Sequence, residues 1–267
     1  MNRIDQKFKE LRREKKKAFI AFITAGDPDL KTTEELVLSF ERSGVDIVEL
    51  GVPFSDPLAD GPTIQASSQR ALRNKVNLGN ILHTVARIRQ KSQIPIALMT
   101  YYNPVFHYGE NAFAAQAKKN GVDGLIVPDL PPEEAKNLIT EARINDISTI
   151  FFLAPTTTLQ RTRHIIAAST GFIYYVSLTG VTGARRQLPS TLKEQVELAK
   201  TLTDKPICVG FGVSTAAQVR SVARISDGVI VGSAIVNEIQ KNTGKDNLVG
   251  NVSRFVRQLS GCRNVAI

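Results

Sequence analysis

Glu49 stands in the run Val48-Glu49-Leu50-Gly51, which offers it no polar neighbour. A carboxylate buried without a partner is costly, so a glutamate in an apolar strand must be paired, protonated or employed. Such surroundings raise its pKa and suit it to proton transfer near neutrality. The alternative is a structural glutamate bonded to a neighbouring strand. The next segment, PFSDPLADGP at 53–62, carries Asp56 and Asp60 among prolines at 53, 57 and 62. Proline restricts φ, so this is a shaped loop whose aspartates either build turns or face a ligand. A second group of candidates lies late in the chain: GVTGAR at 180–185, GFG at 210–212 and VGSAIV at 231–236. Small residues let backbone N–H groups approach an anion, and a helix N-terminus adds its dipole. Three such loops in succession point to a phosphorylated ligand; tight turns alone are the other reading.

The elements that must position these groups follow from periodicity. Short apolar runs rich in β-branched residues occur at 18–24, 46–51, 95–101, 124–128, 149–153, 172–177, 207–211 and 228–231. They are apolar on both faces, as strands are when helices cover one side and packed side chains the other. Between them lie amphipathic stretches with recognisable ends. Gly44 and Gly121 are placed to close helices in the left-handed conformation, and Pro131-Pro132 with Glu133 and Glu134 is placed to open one. The joints echo one another as SGVDIV, NGVDGLIV and SDGVIV, which suggests repeated βα units. Eight strands alternating with helices favour a closed parallel (β/α)₈ TIM barrel over an open doubly wound sheet. The segment 62–91 holds two helical patterns, so the second crossover carries an extra helix, and an amphipathic helix opens the chain. Residues 1–267 are expected to form a single domain, since about 250 residues suffice for such a barrel. In that fold chemistry belongs at the carboxyl ends of the strands. Phe22, Met99, Tyr101, Val127, Phe152, Tyr174, Val176 and Phe211 fall at or near those ends, as walls for a flat apolar ring or as barrel packing.

Composition narrows the classes. Hydrophobic residues make up 42% and charged residues 22% of the chain, ordinary for a globular protein. The net charge of +9 is concentrated in the opening helix, through Arg3, Lys7, Lys9, Arg12, Arg13, Lys15, Lys16 and Lys17. With no interleaved aromatics and no nucleic-acid motif, these read as a solvated helix face. Cys208 and Cys262 do not form a short-spaced pair, so no disulfide framework or cysteine metal site follows, and His83, His107 and His164 lack ligand spacing, so no metal is expected. No signal-type or membrane-length apolar run is present, which points to the cytoplasm.

VELGVPFSDPLADGP at 48–62 resembles the signature segment of the tryptophan synthase α subunit family. FITAGDP at 22–28, MTYYNPV at 99–105, GLIVPDLP at 124–131, GVTGAR, GFGV and VGSAIV resemble the same family in the same order. The resemblance implies a lyase that cleaves indole-3-glycerol phosphate to indole and glyceraldehyde 3-phosphate. It implies Glu49 as the acid–base and Asp60 as the group that holds the indole N–H. It places the phosphate on Gly183, Gly212, Gly232 and Ser233, and the indole ring among Phe22, Met99, Tyr101, Tyr174 and Phe211. Thr182 falls in a lid loop, and Asp56 faces a partner. That partner is a β subunit in an αββα assembly, which carries the pyridoxal phosphate; no cofactor is expected in this chain. Lys75 stands where the family often has glycine, with Asn74 expected to supply the turn. Competing readings are a subunit that mainly activates its β partner, a stand-alone lyase releasing indole, and indole-3-glycerol phosphate synthase. The last is expected to need a lysine at a strand end, and none of the strand ends here carries one.

Overall fold

The computed structural model describes residues 2–176, 191–210 and 212–263. Its strands are β1 (Ala18–Thr24), β2 (Ile47–Gly51), β3 (Ile96–Met99), β4 (Gly124–Ile126), β5 (Ser148–Ile150), β6 (Phe152–Leu153), β7 (Ile173–Val176), β8 (Ile207–Gly210) and β9 (Gly228–Val231). Around them run α1 (Arg3–Arg13), α2 (Leu30–Arg42), α3 (Pro62–Arg73), α4 (Leu78–Arg89), α5 (Tyr102–Tyr108) and α6 (Glu110–Asn120). The series continues with α7 (Lys136–Ile144), α8 (Leu159–Ala168), α9 (Leu192–Lys200), α10 (Ala216–Ile225), α11 (Ser233–Asn242) and α12 (Leu248–Ser260).

All pairings are parallel, in the order β5-β4-β3-β2-β1-β9-β8-β7-β6. The two ends of that order are one stretch of chain. Only Phe151 separates β5, which pairs with β4 through Ile126 and Ile150, from β6, which pairs with β7 through Phe152 and Tyr174. The Tyr174 N–H donates to the Phe151 carbonyl at 3.1 Å. The expected fifth strand is therefore two short pieces, each bonded to a different neighbour, and through it the sheet closes into the expected barrel.

Alternation along the strands sorts side chains into two cores. Phe19, Ala21, Val48, Leu50, Ile96, Leu98, Ile173, Tyr175, Val229 and Val231 face the surrounding helices. Ala18, Ile20, Ile47, Ala97, Ile126, Ile150, Tyr174, Cys208 and Ile230 fill the interior. Ile4, Phe8 and Leu11 of α1 join that interior cluster, and the Phe8 and Phe172 rings lie 5.8 Å apart. The apolar face of the basic helix thus plugs the amino end of the barrel. Its charges are partly spent locally, Lys7 on Glu10 at 2.7 Å and Lys16 on Glu14 at 2.8 Å.

The echoed joints have a physical meaning. Asp46, Asp123 and Asp227 each precede a strand, and each bonds twice to one residue of the neighbouring strand. Asp46 donates its N–H to Phe19 O and accepts from Phe19 N at 2.8 Å. Asp123 does the same with Ile96, and Asp227 with Ile207. Each carboxylate also meets a cation: Arg263 at Asp46, Arg3 and Arg89 at Asp123, Lys200 at Asp227. The aspartates therefore finish the sheet ladder at its amino rim, where backbone N–H groups would otherwise lack partners.

Two local expectations need correction. Pro131, Pro132, Glu133 and Glu134 do not open α7, which starts at Lys136. Glu134 N and Ala135 N both bond to Pro131 O, which closes a separate turn, and Glu133 is drawn to Arg161 at 2.8 Å. At the end of α3 the left-handed residue is Lys75, with φ of 53°, while Asn74 keeps a φ of −86°. The Asn74 amide is engaged elsewhere, donating to the Pro28 carbonyl. Gly44 and Gly121 close their helices as expected, with φ of 84° and 91°. A β-carbon in the left-handed region costs about 1–2 kcal/mol, partly offset by the loss of chain entropy that glycine brings. Lys75→Gly is therefore expected to leave stability unchanged or raise it by up to about 1 kcal/mol in urea denaturation, whereas Lys75→Val should lower it.

Candidate active site

Strand β2 aims Glu49 into the barrel. Val48 and Leu50 belong to the helix-facing core and Ile47 to the interior, so Glu49 shares the face of Ile47. In register it lies beside Phe22 of β1 and Ala97 of β3. The side chain is fully buried, and among the described residues neither carboxylate oxygen has a hydrogen-bond partner. The reading of a glutamate bonded to a neighbouring strand thus fails. Burial alone pushes its pKa up to about 8, because dehydration penalises the charged form.

Asp60 comes from the loop between β2 and α3. Its own N–H bonds to Pro57 O at 3.0 Å, and its carbonyl accepts from the Gln65 amide at 2.9 Å. One residue earlier, Ala59 N donates to the Tyr101 hydroxyl at 2.9 Å, and Phe54 stacks on the Tyr101 ring with centroids 5.2 Å apart. The loop is shaped, as the prolines imply. Burial raises the Asp60 carboxyl to about 6, while the Tyr101 hydroxyl, as a hydrogen-bond donor, pulls it the other way. Asp60 lines a cavity together with Phe22, Gly51, Met99, Thr100 and Tyr101. The Phe22 ring lies over Gly51 so closely that a β-carbon there would sit 2.6 Å from Phe22 Cζ. Tyr174, on the interior face of β7, joins the two acids. Burial holds its hydroxyl far above the ordinary value, and the charges of Glu49 and Asp60 push it in the same direction.

Helix α3 is pinned to the end of β1 and the loop after it by polar contacts that sequence reasoning missed. Thr24 Oγ1 and Ser67 Oγ are 2.6 Å apart, and Arg70 clasps the buried Asp27 carboxylate through Nε at 2.8 Å and Nη2 at 2.7 Å. These partners are some forty residues apart and leave no local pattern. FITAGDP stood out as a segment, but nothing in it named Arg70.

The late glycines are divided. Gly212 takes a φ of 83°, and Gly232 begins α11 with no side chain capping the helix. Ile235 N and Val236 N are the first to bond back to Gly232 O, at 2.8 and 3.1 Å. The N–H groups of Ser233 and Ala234 therefore precede the first intrahelical bonds, at the positive end of the helix dipole. A β-carbon on Gly232 would stand 3.4 Å from Phe22 Cβ, so this helix start adjoins the ring that lines the Asp60 cavity. Thr182, Gly183 and Phe211 lie outside the described residues. Asp56 is exposed, its carboxylate taking the Ser55 hydroxyl at 2.5 Å, and Leu58 beside it is 88% exposed. Val127 faces the helices rather than the cavity, because it shares the parity of Leu125. Among the described residues no cluster of His, Cys, Asp and Glu could hold a metal ion, and no helix is long and apolar enough to cross a membrane.

Residues 8–263 match the family model described as tryptophan synthase alpha chain. The chain belongs to that family. It is 49% identical to the tryptophan synthase alpha chain of Caldanaerobacter subterraneus over 259 residues, covering 97% of this chain and 98% of that one. The Geotalea daltonii alpha chain is 50% identical over 246 residues, 92% of this chain and 93% of its own. Among solved structures, the tryptophan synthase subunit alpha of Legionella pneumophila superposes with a TM-score of 0.91 at 35% identity, covering 98% of each chain. A chain of the Pyrococcus furiosus tryptophan synthase complex gives 0.85 at 39%, covering 92% of this chain and 99% of that one. As a tryptophan synthase alpha chain, the molecule is a lyase of tryptophan biosynthesis that cleaves indole-3-glycerol phosphate.

The buried acid leaves a thermodynamic trace. Glu49 has a folded pKa of about 8 against an ordinary 4.5. Between those values the folded chain keeps a proton that the unfolded chain releases, so this group's effect on stability worsens as pH rises. Glu49→Gln removes the titration. Its stability relative to the parent should be level near pH 4.5 and rise by on the order of 2–4 kcal/mol by pH 8. Urea denaturation across that range is the check, and a difference independent of pH contradicts a buried, unpaired carboxyl.

Proposed function

We propose that Glu49 and Asp60 carry out a retro-aldol cleavage of indole-3-glycerol phosphate, Glu49 moving the protons and Asp60 stabilising the charge. The observation that carries this reading is an interior glutamate with both oxygens unpartnered among the described residues, next to a cavity that holds a second acid. The C3–C3′ bond breaks once C3 of the indole has accepted a proton, which turns the ring into an indoleninium cation and an electron sink. Protonated Glu49 supplies that proton. The resulting carboxylate then takes the proton of the C3′ hydroxyl as the carbonyl of glyceraldehyde 3-phosphate forms, and Glu49 ends as it began. A pKa near neutrality makes both states accessible. Asp60, as a carboxylate against the indole N–H, stabilises the cation in a poorly hydrated site, where a fixed charge is most effective.

The remaining assignments are binding roles. Gly212, Gly232 and Ser233, with Gly183, seat the phosphate on backbone N–H groups and the α11 dipole, which orients a remote reacting carbon. Phe22, Met99, Tyr101, Tyr174 and Phe211 wall the indole, and the loop bearing Thr182 closes over it. Asp56 and exposed Leu58 face a β subunit in an αββα assembly; the Pyrococcus furiosus chain that this one resembles comes from a tryptophan synthase complex. Pyridoxal phosphate belongs to that partner, and no step here passes through it. The cytoplasm is the compartment proposed for the assembly.

Glu49→Gln should lower kcat by at least about 100-fold, with affinity for indole-3-glycerol phosphate changed little. Near-normal turnover discards the assignment. Productive binding needs Asp60 ionised and Glu49 protonated, so kcat/KM should rise through pH 6 and fall through pH 8, following carboxyls at about 6 and about 8. A flat profile across this range contradicts the division of roles.

A further inference from the structure

Tyr101, which caps α5 just after β3, holds the Asp60 loop at both ends. Its buried ring stacks on Phe54, at an interplanar angle of 26°, near the start of the loop. Its hydroxyl accepts the N–H of Ala59 at 2.9 Å, immediately before Asp60. With that lone pair engaged, the hydroxyl proton remains for donation, and the Asp60 carboxylate, one residue along and lining the same cavity, is the acid beside it. Resting on the reading of Asp60 given above, we propose that Tyr101 is a positioning residue for Asp60, its hydroxyl joining the loop backbone at 59 to the carboxylate at 60. This role is separate from any contact of the ring with substrate.

The arrangement also acts on ionisation. A proton donor favours the charged carboxylate and so opposes burial. Among the described residues, the titratable groups facing Asp60 are Tyr101, between β3 and α5, and Tyr174 of β7. Glu49 on β2 acts on Tyr174. Asp129, in the loop after β4, acts on Tyr101 and is itself held by Tyr102 N at 2.9 and 3.2 Å. Loss of the Tyr101 hydroxyl leaves burial unopposed, so the Asp60 pKa rises and the acid limb of the rate profile moves to higher pH.

The test is the pH dependence of indole-3-glycerol phosphate cleavage by the full chain bearing Tyr101→Phe, which retains the ring. The expected result is a loss of about tenfold in kcat/KM, carried by kcat rather than KM, with the acid limb displaced upward by about half a pH unit or more. A fall in rate with the limb unmoved overturns the proposal, since a general loosening of the fold does not retitrate one carboxyl. Should Tyr101→Phe not fold, 3-fluorotyrosine placed at position 101 makes the hydroxyl a stronger donor without removing it. The limb must then move downward, and a stationary limb overturns the proposal. Asp60→Asn separates the two readings. An acid limb that survives in Asp60→Asn refutes the role of Asp60 itself. A limb lost in Asp60→Asn but unchanged in Tyr101→Phe refutes only the positioning role.

Discussion

Residues 148–153 bond to β4 with their first half and to β7 with their second, and that double pairing turns a sheet into a barrel. Closure leaves no free sheet edge and creates an interior that must be filled by side chains. At the amino end the filling comes from Ile4, Phe8 and Leu11 of α1, with Asp46, Asp123 and Asp227 completing the ladder around the rim. At the carboxyl end lies the cavity shared by Asp60, Phe22 and Tyr101. A polar group on the inner face near that end is dehydrated by the fold itself, before any ligand arrives.

The two acids experience that environment to different degrees. Glu49 is part of a strand, cannot turn toward water, and has no described partner, so burial acts on it unopposed. Asp60 comes from a loop and meets a hydroxyl proton from Tyr101, so its rise is smaller. Two carboxyls of similar intrinsic acidity are thereby set on either side of neutrality. Near neutrality burial favours the protonated form of one more than of the other, and the difference arises from position rather than residue type.

Asp60 is held from α3 and from Tyr101 as well as by the loop's own prolines. Thr24–Ser67 and Asp27–Arg70 tie α3 to the strand that carries Phe22, and Gln65 returns from α3 to the Asp60 carbonyl. Asp27 is almost fully buried, so the two-pronged guanidinium contact compensates a charge that would otherwise be costly there. The ring wall, the acid and the helix start at Ser233 therefore belong to one connected frame, with Phe22 filling the space a β-carbon on Gly51 would need and lying close to where one on Gly232 would stand.

Much of this is legible in the sequence. Apolar runs without a polar face required a buried parallel sheet, and an acid within one of them required an explanation, because burial energies act on residue type and local spacing alone. The prolines at 53, 57 and 62 likewise implied a shaped loop. What depended on distant partners was not legible. The recurring GVD and SDG joints were visible, but their double bonds to Phe19, Ile96 and Ile207 exist only once neighbouring strands are in register. Lys75 takes the left-handed turn because Asn74 is committed to a carbonyl some forty-six residues away. Glu133 and Glu134 stay outside α7 because a turn closes on Pro131 first. The sequence by itself determined which groups would be buried and how strands and helices alternate, since those follow from local chemistry. The tertiary structure alone decided which buried acid goes unpaired and which meets a hydroxyl, because hydrogen-bond partners are chosen by proximity in space.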